Sequence, residues 1–240
     1  VFDHLGNLFT VPIEGGSATQ LTSGLAQMLY APEWSPDGKQ IAFSDKSGRL
    51  HILTVETKQI QTIADDTWGS ISHYVWSPRG GHLAFPLQVG ERTRSLHIWS
   101  AADETVRKVT GDMFDEWAPV WDPDGKYLFY LSDRTFAPQI SAVEWNYAGN
   151  RQTGIFALAL RKDVPHPFPP ESDEVEVVEE EAAEEAAEEE EDAEAGEEDQ
   201  ESSDSDGPLG IDFDGLSERA AALPVSADNY AGLSAKKGHL

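Results

Sequence analysis

One six-residue segment occurs three times in this chain, as Trp34-Ser35-Pro36-Asp37-Gly38-Lys39, Trp76-Ser77-Pro78-Arg79-Gly80-Gly81 and Trp121-Asp122-Pro123-Asp124-Gly125-Lys126, at spacings of 42 and 45 residues. Each copy runs directly into an apolar alternating stretch: Ile41 and Phe43 around Ala42, Leu83 and Phe85 around Ala84, Leu128 and Tyr130 around Phe129. A period in the forties that contains strand signals marks a β-propeller, whose four-stranded blades bury their faces only against one another. The segment itself has turn chemistry. Proline presets φ at the first turn position, and glycine supplies a positive φ where the chain rejoins the ladder. A tight hairpin between the two inner strands of each blade is predicted.

The repeat extends beyond the turn. Asn7-Leu8-Phe9, His51-Ile52-Leu53, His97-Ile98-Trp99 and Gly154-Ile155-Phe156 read as the same third strand, and Leu21, Ile63 and Val109 as the same outer strand. Residues 1–170 are therefore expected to be propeller blades. About three and a half to four blades of a larger, seven-bladed propeller fit into the chain, which reads as a fragment of a longer polypeptide. The fold class is all-β.

Charge separates one segment from the rest. The formal charge is −27, but Glu171–Asp206 carries 21 of the 44 acidic residues and no Lys or Arg. The remainder holds 23 acidic and 17 basic residues, only mildly acidic. No basic surface for phosphates is concentrated anywhere, so a nucleic-acid partner is not expected. Residues 171–208 are expected to be a disordered acidic insertion, because like charges three and four residues apart repel and nothing apolar anchors them. Ile155–Leu160 reads as the third strand of its blade and the next strand-like run, Arg219–Val225, as the fourth, which places the insertion on the rim. Residues 209–240 then continue the propeller, and Tyr230–Leu240 opens a new blade with Lys236-Lys237-Gly238 as its hairpin.

No catalytic constellation is present. The chain has no Gly-x-Ser-x-Gly elbow, no pair of histidines at helical spacing with a glutamate, and no phosphate-cradling glycine loop. Cysteine is absent, which removes disulfide and thiolate chemistry. His51 and His97 occupy one repeat position, with Asn7 in the same slot, and read as repeat residues rather than metal ligands, since a metal would need a convergent third ligand. Asp65-Asp66 and Asp112 to Asp115 read as connections between blades. Trp34, Trp76 and Trp121 keep the blade phase and are expected between blades, while Trp68, Trp99, Trp117 and Trp145 are less regular. No catalytic, metal or cofactor residue is assigned, no cofactor is expected, and the substrate-binding residues are unassigned. No stretch is long and apolar enough to span a membrane, and no membrane partner is expected.

The turn motif is shared by propellers of TolB-like proteins, of prolyl oligopeptidase relatives and of tricorn-type proteases. Leu131-Ser132-Asp133-Arg134, Phe156-Ala157-Leu158-Ala159-Leu160-Arg161-Lys162-Asp163, Pro165-His166-Pro167-Phe168 and Pro170-Glu171-Ser172-Asp173-Glu174 resemble the stretch before an acidic insertion in bacterial tricorn-like serine proteases. Ile211-Asp212-Phe213-Asp214-Gly215-Leu216-Ser217-Glu218-Arg219 and Leu223-Pro224-Val225 resemble the stretch after it. Arg79 in place of Asp and Asp122 in place of Ser depart from the motif.

The resemblance implies a non-catalytic propeller segment that guides or gates oligopeptide substrates toward a serine-peptidase core beyond this chain. Its implied partners are the rest of its own polypeptide (missing blades, the catalytic core and a PDZ-like domain) and oligopeptides, with a homo-oligomer for the full-length protein and a cytoplasmic location. Two other readings stand beside it. One is a TolB-like interaction module without an enzyme, the other the propeller of a prolyl-oligopeptidase-type serine peptidase.

Overall fold

The three Trp-x-Pro segments make the same turn. In a computed structural model of the chain, Gly38, Gly80 and Gly125 all sit at φ 70°, and each donates its amide to the residue three positions back, Ser35, Ser77 or Asp122, at 2.8–2.9 Å. The side chain at that third position holds the loop from within. Ser35 Oγ accepts from the Gln40 amide at 2.9 Å, and the Asp122 carboxylate accepts from the Lys126 amide at 3.0 Å. Asp122 thus does the work of the serine it replaces. Arg79 lies at an exposed turn position.

The structure describes residues 1–24, 28–135, 151–169 and 209–240, together with the backbone of 139–140 and 147–148. The first sheet has three strands, β1 (Phe2–His4), β2 (Asn7–Thr10) and β3 (Thr19–Gln20). The second has four in sequence order: β4 (Leu29–Trp34), β5 (Gln40–Asp45), β6 (Arg49–Thr54) and β7 (Gln59–Asp65). The third repeats this with β8 (Val75–Trp76), β9 (His82–Gln88), β10 (Arg94–Ser100) and β11 (Thr105–Lys108). The fourth is β12 (Glu116–Trp121), β13 (Tyr127–Asp133), β16 (Thr153–Ala159) and β17 (Ala220–Ala222). Between β13 and β16 the chain makes a two-stranded excursion, β14 (Gln139–Ile140) and β15 (Tyr147–Ala148). Every pairing is between antiparallel neighbours, the order of propeller blades.

Three cores form, one at each seam between successive sheets. Leu8 and Leu21 of the first sheet meet Leu29, Ile41, Phe43 and Leu53 of the second. Ala42, Leu50 and Ile52 meet Ile71, Tyr74, Trp76, Leu83, Phe85 and Trp99 of the third. Ala84, Leu96, Ile98 and Val109 meet Trp121, Leu128, Tyr130 and Leu158 of the fourth. In the second and third sheets the large residues on the second strand therefore face one neighbour and the alanine between them, Ala42 or Ala84, the other, which is the alternation a strand imposes. Small against large lets the sheets approach closely.

Arg219–Val225 supplies the fourth strand as expected: β17 lies within it and pairs Ala220–Ala222 with β16. It is preceded by a short 3-10 helix, Leu216–Arg219. Lys236 and His239 exchange backbone hydrogen bonds at 2.9 Å around Gly238, an isolated bridge that closes a turn. The chain divides into two compact units, Val1–Phe168 with Gly207–Leu240, and Pro169–Asp206. The acidic segment expected to be disordered, 171–208, lies outside the described residues, as does Trp145.

Candidate functional site: a cavity at the inner ends of the blades

The inner strands of the second and fourth sheets, β4 and β12, run six residues each, whereas β8 runs two. The cause is one residue on the strand beside it. Ten residues after each repeat tryptophan stand Ser44, Pro86 and Leu131. Ser44 pairs with Tyr30 and Leu131 with Trp117. Pro86 has no N–H to give to an inner strand, and pairing stops at Val75↔Ala84. No backbone hydrogen bond joins residues 67–74 to β9 among the described residues.

The space beside this gap is a cavity of 810 Å³, lined from the third blade by Ser70, Ser72, His73, Pro86 and Gln88, and from the fourth by Trp117 and Ala118. Segment 231–233 closes the far side. Its rim is charged. Arg94 grips Asp115 with Nε and Nη2 at 2.8 and 2.6 Å, and its amide donates to the same carboxylate at 2.9 Å. These bonds push the Arg94 pKa up, against the effect of burial. Its guanidinium also lies 5.5 Å from the Trp117 ring centroid. Asp66 accepts from the Trp68 and Gly69 amides at 3.0 and 2.9 Å and from the Gln88 amide at 3.4 Å. Two aspartates from two connecting loops thus hold the end pair Gln88↔Arg94 of the β9–β10 ladder. Burial lowers the pKa of His73, which favours a neutral ring facing the cavity. Glu91 and Arg92 complete the rim.

The histidines singled out by the repeat lie elsewhere. His51 and His97 pair with Phe43 and Phe85 and stack on them at 5.0 and 5.9 Å. In the fourth blade the matching stack is Tyr130 on Phe156 at 5.6 Å, and in the first sheet Phe2 on Phe9 at 5.7 Å. This corrects the register read from sequence: the residues equivalent to His51 are Phe9 and Phe156. Asn7 and Gly154 sit two positions away. The Leu8 amide bonds Thr22 Oγ1 as the Leu96 amide bonds Thr110 Oγ1, both at 2.8 Å, which fixes the alignment. The position takes a flat ring, and histidine serves as one.

His51 also bridges Asp45 Oδ2 and Thr62 Oγ1, each at 3.0 Å. Burial pushes the Asp45 carboxyl up, but the bonds from His51 and from the Arg49 and Ser47 amides outweigh it and its pKa is lowered. Carboxylate, imidazole and hydroxyl are in line, yet none of the three lines the cavity. No group of three potential metal ligands occurs among the described residues. Asp65 ends β7, and Asp66 and Asp112 to Asp115 lie in blade connections, as expected. Trp76 and Trp121 are buried between blades, whereas Trp34 is 38% exposed, because the three-stranded first sheet has no inner strand to cover it. Trp99 is buried and Trp68 exposed. The cavity-lining residue that sequence reading passed over is Pro86; the signal for it was a proline inside a strand pattern.

Consecutive antiparallel blades with cores at their seams define this protein as β-propeller structure, and the 810 Å³ cavity lies beside the shortened inner strand β8. The chain belongs to the family described as the tricorn protease second β-propeller domain, whose model matches residues 5–240. It is 27% identical over 225 residues to tricorn protease homolog 1 of Streptomyces coelicolor, covering 93% of this chain and 20% of that protein. It is 28% identical over 142 residues to a TolB homolog of Chlorobium luteolum, covering 55% of this chain and 30% of that protein. The crystal structure of the tricorn protease superposes with a TM-score of 0.66 at 20% identity, over 90% of this chain and 19% of that one, and supports the fold. The chain spans about a fifth of the length of that Streptomyces coelicolor tricorn homolog.

Proposed function

We propose that this propeller serves a tricorn-like serine peptidase by passing unfolded oligopeptides along its inner strands toward a catalytic core outside this chain. The observation that carries the reading is the 810 Å³ cavity bounded by the inner ends of two blades and segment 231–233, in a chain of the tricorn second-propeller family. Its volume falls within the range of small-ligand sites, and an extended peptide fits where a folded domain does not. The reading assigns catalysis elsewhere: the hydroxyl–imidazole–carboxylate series Thr62–His51–Asp45 does not line the cavity.

The absence of cysteine from the chain gives a direct test. Ser70→Cys places a thiol on the cavity wall, and a bulky maleimide there should slow turnover of a long unfolded peptide by the peptidase while sparing a short fluorogenic substrate. Equal turnover of the long peptide before and after labelling overturns the reading. The isolated 240-residue chain should show no peptidase activity above a buffer blank.

A further inference from the structure

The vacancy left by the shortened β8 has a hydrogen-bonding character of its own. The backbone bonds Ala101 N–H to Gly81 and Val89 N–H to Thr93 place the odd-numbered residues of β9 on the β10 side. Ala84, Pro86 and Gln88 therefore point toward the inner strand. Ala84 meets Val75. Beyond it the Pro86 and Gln88 carbonyls meet no donor among the described residues, and both residues line the cavity. In the sister blades the same stretch is covered by Leu29–Tyr30 and Glu116–Trp117. Two acceptors, two residues apart on one edge, match the spacing at which an extended chain presents its N–H groups.

We infer that this edge is a peptide-binding station, at which an extended oligopeptide adds to β9 as a short strand, donating backbone N–H groups i and i+2 to the Pro86 and Gln88 carbonyls. The inference rests on the proposed passage of oligopeptides and adds where and how they are held. Recognition through backbone groups is indifferent to side-chain sequence, which suits a surface that must take many peptides in turn. Pro86 has a second consequence: lacking an N–H, it leaves the edge with acceptors only at that position and gives the inner strand no complete ladder to reclaim. The side chain four residues before the repeat tryptophan is aromatic in the sister blades, Tyr30 and Trp117, and here is Ser72, which leaves the room open.

The test uses a blocked, fluorophore-tagged, alanine-based hexapeptide and two versions carrying three N-methyl groups each. Methylation at residues 2, 4 and 6 leaves N–H groups at i and i+2 on one edge. Methylation at residues 2, 3 and 4 leaves no such pair. Fluorescence anisotropy with the protein should give the alternating version within about twofold of the parent, and the consecutive version weaker by about tenfold or more, the scale of hydrogen bonds lost. The Ser72→Trp variant, which installs the side-chain type of the sister blades, should fold and lose affinity for the parent peptide by a similar factor. Equal affinities of the two methylated versions, or unchanged binding by Ser72→Trp, overturn the station while leaving peptide passage standing. Failure of the wild-type protein to bind the parent peptide overturns both.

Discussion

Trp121 donates its indole N–H to the carbonyl of Val75, one blade back, at 3.0 Å. Trp76 makes the equivalent bond to Glu33 at 3.3 Å, and Tyr74 adds its hydroxyl to the Tyr30 and Ala31 carbonyls at 2.9 and 2.6 Å. Each acceptor immediately precedes or lies close to the repeat tryptophan of its own blade. The tryptophan is thus both filler of the seam and polar staple to the inner strand of its neighbour. This answers why the repeat keeps tryptophan rather than another large apolar residue: its N–H finds a partner when the ring is buried.

Removal of the Trp76 side chain is expected to cost about 3–5 kcal/mol, the usual toll of deleting a buried aromatic. Trp121→Phe keeps most of the ring and should cost about 1 kcal/mol for the lost bond, plus the smaller ring area. Trp34→Ala should cost least, since Trp34 is exposed and its indole has none of the cross-blade bonding that holds Trp76 and Trp121. Urea titration of the three variants, compared at equal slope, checks the order.

The two stacked histidines should behave differently on replacement. Burial lowers the His97 pKa, so the unfolded chain takes up a proton that the folded chain refuses. The stability this represents is present above the unfolded value of about 6.5 and is lost as pH falls below it, at up to about 1.4 kcal/mol per pH unit. His97→Phe, which installs the ring found at Phe9 and Phe156, should flatten that acid slope and leave stability at neutral pH nearly unchanged. His51→Phe should instead destabilise at neutral pH by about 1–3 kcal/mol, because Asp45, 5% exposed, loses its imidazole partner. Denaturant midpoints between pH 5 and pH 8 separate the two.

Two turn glycines with similar backbone angles should tolerate alanine unequally. A Cβ on Gly38 meets nothing within 4 Å, so Gly38→Ala should cost only the left-handed strain, about 1–2 kcal/mol. A Cβ on Gly48 would stand 2.5 Å from the Asp66 carbonyl oxygen and 2.8 Å from that of Gly69. Gly48→Ala must move backbone, and should cost about 1–3 kcal/mol more. Since that backbone carries Asp66 on the cavity wall, peptide affinity should fall with it, whereas Gly38→Ala should leave affinity alone.

The sequence alone determined the blade period, the turn chemistry and the in-phase tryptophans, because these are local: a Pro-x-Gly turn and a two-residue alternation need no distant partner to be read. It also placed the fourth strand of the last blade near Arg219–Val225. The third-strand register went astray at Asn7 and Gly154, since short apolar runs match as well when slipped by two residues and only cross-strand partners such as Phe43 for His51 remove the ambiguity. The cavity was out of reach for the same reason. Pro86 and Ser72 are unremarkable neighbours of their own segments. They line one cavity only because β9 runs on past its two-residue inner strand β8, and the tertiary structure decides that through the N–H that proline lacks.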